Sequence, residues 1–147
     1  MAIQFSNISG NFTLHHEDCM IKWITKVIQQ RNKQVGNIHY LFCTDDYMLT
    51  ANQRYLNHDT YTDIITFDYV VGNLISGDIL LNIDRVKENA IGYDTTFERE
   101  LLRVIIHGVL HLLGQGDKSE AEAKEMRRLE GEAMQLWEQM FPVEQWA

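Results

Sequence analysis

One segment constrains this chain more than any other. Phe97-Glu98-Arg99-Glu100-Leu101-Leu102-Arg103-Val104-Ile105-Ile106-His107-Gly108-Val109-Leu110-His111-Leu112-Leu113 reads as a helix that is apolar on nearly every side. A helix without a polar face belongs at the centre of a domain, with the other elements built around it. Thr95-x-x-Glu98 is a candidate capping box at its start, and Gly114 is placed to end it. The chain has 147 residues, so a single domain over 1–147 with one core is expected.

The flanking pattern sets the fold class. Ile3–Ser6 reads as a strand, Glu17–Arg31 as a helix with Met20, Ile24, Val27 and Ile28 on one face, and Ile38–Cys43 as a strand. Asp45 or Asp46 can cap a helix running to about Leu56. Asp63–Val71 and Leu74–Ile83 read as strands joined at Gly72-Asn73, an antiparallel hairpin. The rest is helical. Ser119-x-x-Glu122 forms a second capping box before a helix with Met126, Leu129, Ala133, Leu136, Trp137 and Met140 at core spacing. This order predicts an α+β domain, with a small mixed sheet of about four strands and about five helices.

The chemistry concentrates in His107-Gly108-Val109-Leu110-His111-Leu112-Leu113-Gly114-Gln115-Gly116-Asp117. Residues i and i+4 of a helix share a face, so His107 and His111 offer two imidazoles to one ion. Gly114 permits the positive φ that turns the chain back, and Gly116 adds freedom beside it. Asp117 can then reach the same point. Two imidazoles and a carboxylate leave a fourth tetrahedral position for water, the arrangement of a catalytic metal. Zinc suits these donors best, with other divalent transition metals open. Polar rings on so apolar a helix need a partner, because burying each alone costs about 1–3 kcal/mol. The site is therefore expected at the C-terminal end of the buried central helix.

The residue after the first histidine separates two reaction classes. Zinc peptidases with similar spacing carry a glutamate there as general base. Here it is Gly108, which weakens a peptidase or amidase reading.

These residues resemble the YbeY-type family of metal-dependent endoribonucleases, the rRNA maturation factors, whose motif is H-G-x-L-H-L-x-G-x-D-H. The match holds at His107, Gly108, Leu110, His111, Leu112 and Gly114. Asn52, Tyr55 and Thr62-Asp63-Ile64-Ile65-Thr66-Phe67 are similar to the family's N-x-x-Y-R…T-D-V-L-S-F stretch, Gly77-Asp78-Ile79 resembles its G-D-I strand, and Glu100 also fits. The resemblance implies an α+β fold, a zinc-like metal on the motif's three ligands, and cleavage of single-stranded RNA in rRNA processing and ribosome quality control. It implies the ribosomal small subunit or assembly factors as partners.

The chain departs from the family pattern at several positions. Asp117 stands where the family has its third histidine, and Gly116 where it has the preceding aspartate. An aspartate still ligates, and lowers the site's charge by one unit. Leu56 replaces the family's arginine, and Arg54 falls about 200° away around the predicted helix. Arg103 occupies a position commonly histidine in the family. Arg103, His107 and His111 fall at i, i+4 and i+8, so Arg103 is a candidate catalytic residue that aims its planar fork at the scissile phosphate. The alternative is an ion pair with an acid such as Glu100. The expected reaction is metal-assisted phosphodiester cleavage, by activated water or by a ribose 2′-OH.

Composition bears on partners. The net charge of −8 argues against broad phosphate binding, which runs on Lys and Arg contacts. It keeps open a non-catalytic ribosome-assembly factor with a structural metal. No apolar run approaches the ~18 residues of a membrane helix, and the N-terminus lacks the pattern of a secretory signal, so cytoplasmic residence is expected. Cys19 and Cys43 read as reduced thiols. His58 is a second candidate for reaching a phosphate. Tyr40, Tyr55, Tyr61 and Tyr69 are candidates for base stacking or core packing. His15 and His16 read as surface groups, His39 as structural, and Lys22, Lys26 and Arg31 as a thin basic edge.

Overall fold

A computed structural model describes residues 2–56 and 62–142, with the side chains of Tyr55 and Leu56 outside what it describes. His58 and Tyr61 also lie outside the described residues. The element order is β1 (Ile3–Asn7), α1 (Glu17–Gln30), β2 (Gln34–Cys43), α2 (Asp45–Ala51), β3 (Ile64–Asp68), β4 (Leu74–Asn82), α3 (Ile83–Gly92), α4 (Phe97–Leu112) and α5 (Glu120–Met140). The α+β fold and mixed four-stranded sheet expected from the sequence are both present.

Side chains alternate across a strand, and β2 uses this to face two cores at once. Its Ile38, Tyr40 and Phe42 are buried in the main core, while Leu41 and Cys43 belong to a smaller cluster on the opposite face. The sheet order is β1-β2-β4-β3. β1 and β4 run parallel to β2, and β3 pairs antiparallel with β4. Gln34–Asn37 were not expected in β2. Pairing with β4 draws them in, across an irregularity between Val35 and Ile38. The hairpin turns at Gly72 (φ +60°), with Val71 and Leu74 bonded to each other. The continuous part of β3 ends at Asp68, whose carboxylate accepts the Val70 N–H at 2.8 Å, while Tyr69 bonds Ser76 and Val71 pairs with Leu74 in the same register.

Helix α4 lies at the centre, with ten of its 16 residues buried. It packs with α1, α3 and α5 on one face of the sheet, and α2 covers the smaller cluster on the other. Trp23 of α1 and Trp137 of α5 meet edge to face at 5.2 Å. Side chains of this kind each contribute about 1.5–3 kcal/mol on burial. Tyr40 is core rather than a stacking platform: its hydroxyl donates to the Ile105 carbonyl at 2.6 Å and fixes α4 over β2.

Two helix boundaries differ from expectation. The Thr95 amide closes the end of α3 on the Ala90 carbonyl, so Thr96 is the extended residue that caps α4, its hydroxyl accepting from the Arg99 amide. The helix predicted from Asp45 to about Leu56 divides into α2 and a π-helical turn over Asn52–Leu56. No helix among the described residues is long and apolar enough to cross a membrane.

Candidate metal centre

The last two turns of α4 carry His107 and His111, whose rings meet edge to face at 4.5 Å. Beyond them the helix ends in a Schellman motif: the Gly114 amide bonds the His111 carbonyl, and the Gln115 amide bonds the Leu110 carbonyl. Gly114 holds φ +100°, a conformation that favours glycine. Two residues after Asp117, Ser119 begins α5 with the expected capping box: Ser119 Oγ accepts from the Glu122 amide and the Glu122 carboxylate accepts from the Ser119 amide. Asp117 is thus held between two locally determined termini. A Cβ on Gly116 would lie 2.5 Å from Glu122 Oε2, so a larger residue there would have to displace the Glu122 carboxylate of the capping box.

One carboxylate oxygen, Asp117 Oδ2, lies 3.3 Å from His107 Nε2 and 3.3 Å from His111 Nε2. Charge-assisted hydrogen bonds are shorter, about 2.7–2.9 Å. Donors on a tetrahedral ion with bonds of about 2.0–2.1 Å stand about 3.3–3.4 Å apart along each edge. The donor atoms all fall within 4.8 Å of one another, and among the described residues no fourth His, Cys, Asp or Glu joins them. The side chains are 15%, 27% and 38% exposed for His107, His111 and Asp117, so the cluster is accessible from outside.

Behind the cluster is a partly buried ion network. Glu100 grips Arg103 in a fork, Oε1 to Nε at 3.0 Å and Oε2 to Nη2 at 2.7 Å. Arg103 Nη1 also reaches both oxygens of Glu130, and Asp63 Oδ2 lies 3.7 Å from Nη2. Hydrogen bonding to Glu100, with the charges of Glu130, Glu100 and Asp63, holds Arg103 firmly protonated against its burial. Burial pushes the Asp63 carboxyl above its usual range, against the opposing pull of Arg103. The ion pair with Glu100 set beside the phosphate role of Arg103 is therefore present, and each of its guanidinium nitrogens has a carboxylate partner. Glu130 escaped the sequence reading. Its signal was an acid lying inside the apolar stripe of α5, one turn from both Met126 and Ala133.

Gly108 faces the sheet, away from the cluster. A Cβ there would lie 3.0 Å from the Cδ1 atoms of Ile64 and Ile79. A glutamate there would press on the sheet, so packing disfavours the peptidase base that the sequence also lacks.

Two grooves meet at the cluster. One, of about 570 Å³, is lined by Tyr93, Arg99, Arg127 and Met134 as well as by Arg103, His107 and Asp117. The other, of about 600 Å³, follows β3 past Thr62, Ile64 and Thr66 and includes His107, His111, Asp117 and Lys118. The remaining candidates fall elsewhere. His15 and His16 are exposed, His39 bonds Ser6 across β1 and β2, and Tyr69 stands exposed beyond β3.

Comparison with known proteins shows the family to which the chain is similar. The family described as Endoribonuclease YbeY matches residues 4–138. A protein named Endoribonuclease YbeY from Flavobacterium psychrophilum is 49% identical over 131 residues, 89% of this chain and 94% of its own length. One of the same name from Flavobacterium johnsoniae is 48% identical over 139 residues, 95% of this chain and 97% of its own. A solution structure of a protein from Thermotoga maritima superposes with a TM-score of 0.65 at 26% identity, covering 97% of this chain and 95% of that one.

Proposed function

The chain belongs to the YbeY family of endoribonucleases, and from that premise we propose that it cleaves single-stranded RNA, ribosomal RNA in the course of its processing, at a divalent-metal site formed by His107, His111 and Asp117. The observation that carries the reading is the convergence of three donor atoms within 4.8 Å of one another, with Asp117 Oδ2 at tetrahedral-edge distance from each imidazole, at a point reached from two grooves.

The charge around the cluster supports a cation. Asp63, Glu100, Asp117 and Glu130 bring four carboxylates to a region where Arg103 supplies one guanidinium. Uncompensated charge at partly buried positions is costly, and a divalent ion removes two units of the surplus. Zinc fits two imidazoles and a carboxylate. A bound divalent ion supplies Lewis-acid stabilisation to a phosphoryl oxygen and acidifies water. His107 and His111 serve as neutral donors, and Asp117 contributes the one negative charge among the three. The grooves on either side give an extended strand a path across the cluster, with Lys118 on one side and Arg127 on the other. Arg103 borders the same space, but its nitrogens are committed to Glu100 and Glu130, and the direct phosphate contact is not part of the proposal. The reading carries with it residence in the cytoplasm and contact with ribosomal particles.

Elemental analysis of the purified protein, with digestion of a single-stranded RNA with and without chelator, tests this. Cleavage is expected to stop with chelator, return with zinc, and vanish with metal affinity in His111→Ala. Full activity of metal-free protein would overturn the metal site. Metal retention without RNA cleavage would favour a structural metal in an assembly factor, and cleavage of a peptide library in place of RNA would favour an amidase.

A further inference from the structure

We propose that Glu130 is a positioning residue for the metal centre: its carboxylate holds the Nδ1–H of His107, so that the ring presents the Nε2 lone pair to the ion. The inference rests on the metal reading of the triad and deepens it.

An imidazole ligates through Nε2 only when the proton sits on Nδ1, and in water the ring has no strong reason to choose. The contact made by the other nitrogen sets the choice. His107 Nδ1 lies 2.5 Å from Glu130 Oε2, and an ionised carboxylate only accepts, so this contact assigns the proton to Nδ1. Nε2 then points at Asp117 Oδ2. The direction of the ring is fixed as well as its tautomer, because Glu130 comes from α5 while the histidine comes from α4.

Glu130 is placed where α5 would otherwise carry an apolar residue. It is 4% exposed, in a stripe whose other buried members are Met126, Leu129, Ala133 and Trp137. A buried acid in such a stripe costs stability unless its charge is answered. Arg103 Nη1 answers it, and Glu100 and Asp63 hold Arg103 from the far side. The guanidinium thereby pairs with one side of the Glu130 carboxylate while Oε2 faces His107. The order is Glu100, Arg103, Glu130, His107, ion. The two histidines are unequal in this respect: no described residue hydrogen-bonds Nδ1 of His111, the more exposed ring.

A merely structural role for Glu130, as the partner of Arg103, would affect stability without touching the His107 proton. Long-range proton–nitrogen NMR of the metal-free protein reads that proton directly. The parent is expected to carry it on Nδ1. Glu130→Gln, which can still accept through its carbonyl, is expected to keep that tautomer, while Glu130→Ala mixes the two. By chelator competition, Glu130→Ala is expected to lose about 10–100-fold in zinc affinity and Glu130→Gln less. Ala133→Gly, on the same helix and away from His107, should lower stability and leave affinity unchanged. A parent ring protonated on Nε2, or a zinc Kd for Glu130→Ala within about twofold of the parent, overturns the proposal. If Glu130→Ala does not fold, the parent tautomer and the Glu130→Gln affinity decide. A parent protein without zinc affinity sinks the metal reading instead, and its metal-free tautomer still decides the role of Glu130.

Discussion

Placing at Gly108 the glutamate that a zinc peptidase carries tests why this site lacks a side-chain base. A Cβ at 108 meets Ile64 Cδ1 and Ile79 Cδ1 at 3.0 Å and Ile79 Cγ2 at 3.2 Å. Gly108→Ala gains about 1 kcal/mol of helix propensity, and overpacking costs about 1–3 kcal/mol. The net loss is about 0–2 kcal/mol, or about 0–8 °C in Tm at about 2–4 °C per kcal/mol for a domain near this size. Gly108→Glu adds a carboxylate with no partner between α4 and the sheet, costing several kcal/mol more. The sum, at least about 4 kcal/mol, is a large part of the ~5–15 kcal/mol that holds a domain together. The expected Tm falls by about 10 °C or more, with no peptide cleavage. Thermal melts followed by circular dichroism in chelator, beside a peptide-library digest, give both readouts. Two results would refute the close-packing account. One is Gly108→Ala melting about 2–4 °C above the parent, the whole propensity gain. The other is a stable Gly108→Glu protein that cleaves peptides.

Other expectations concern parts of the fold outside the donor set. Ser119→Ala removes the hydroxyl that caps α5 and should cost about 1 kcal/mol; an unchanged Tm would mean that the capping box does not support the turn carrying Asp117. Burial, with Asp84 and Asp45 nearby, pushes the Cys43 thiol up to about 12. Raising an acid's pKa keeps it neutral, so the reactive thiolate is absent through the pH range of ordinary alkylation. Iodoacetamide at about pH 8.5 should modify half-buried Cys19 and spare Cys43 until the protein unfolds; equal labelling of both in the folded state contradicts this.

Much of the site was written locally. His107 and His111 share a face because helix geometry puts i and i+4 together, and Gly114 supplies the positive φ that begins the return to Asp117. Ser119 and Glu122 form their capping box within four residues. Periodicity placed α4 at the centre and drew the hairpin around Gly72. These features depend on neighbours within one or two helical turns, which a single sequence displays.

The rest depends on pairs far apart in the chain. Gln34–Asn37 joined β2 because β4 was there to pair with them, although their own composition favours no strand. Thr96 replaced Thr95 as the cap once the end of α3 had claimed the Thr95 amide. Glu130 met His107 only when α5 packed against α4, and the same packing surrounded Arg103 with carboxylates from α4, α5 and the start of β3. The sequence by itself determined which side chains are capable of holding an ion, since local backbone geometry brings them to one end of one helix. Only tertiary structure decided how those ligands are oriented and charged, because hydrogen bonds and ion pairs between separate elements have no periodicity by which to announce themselves.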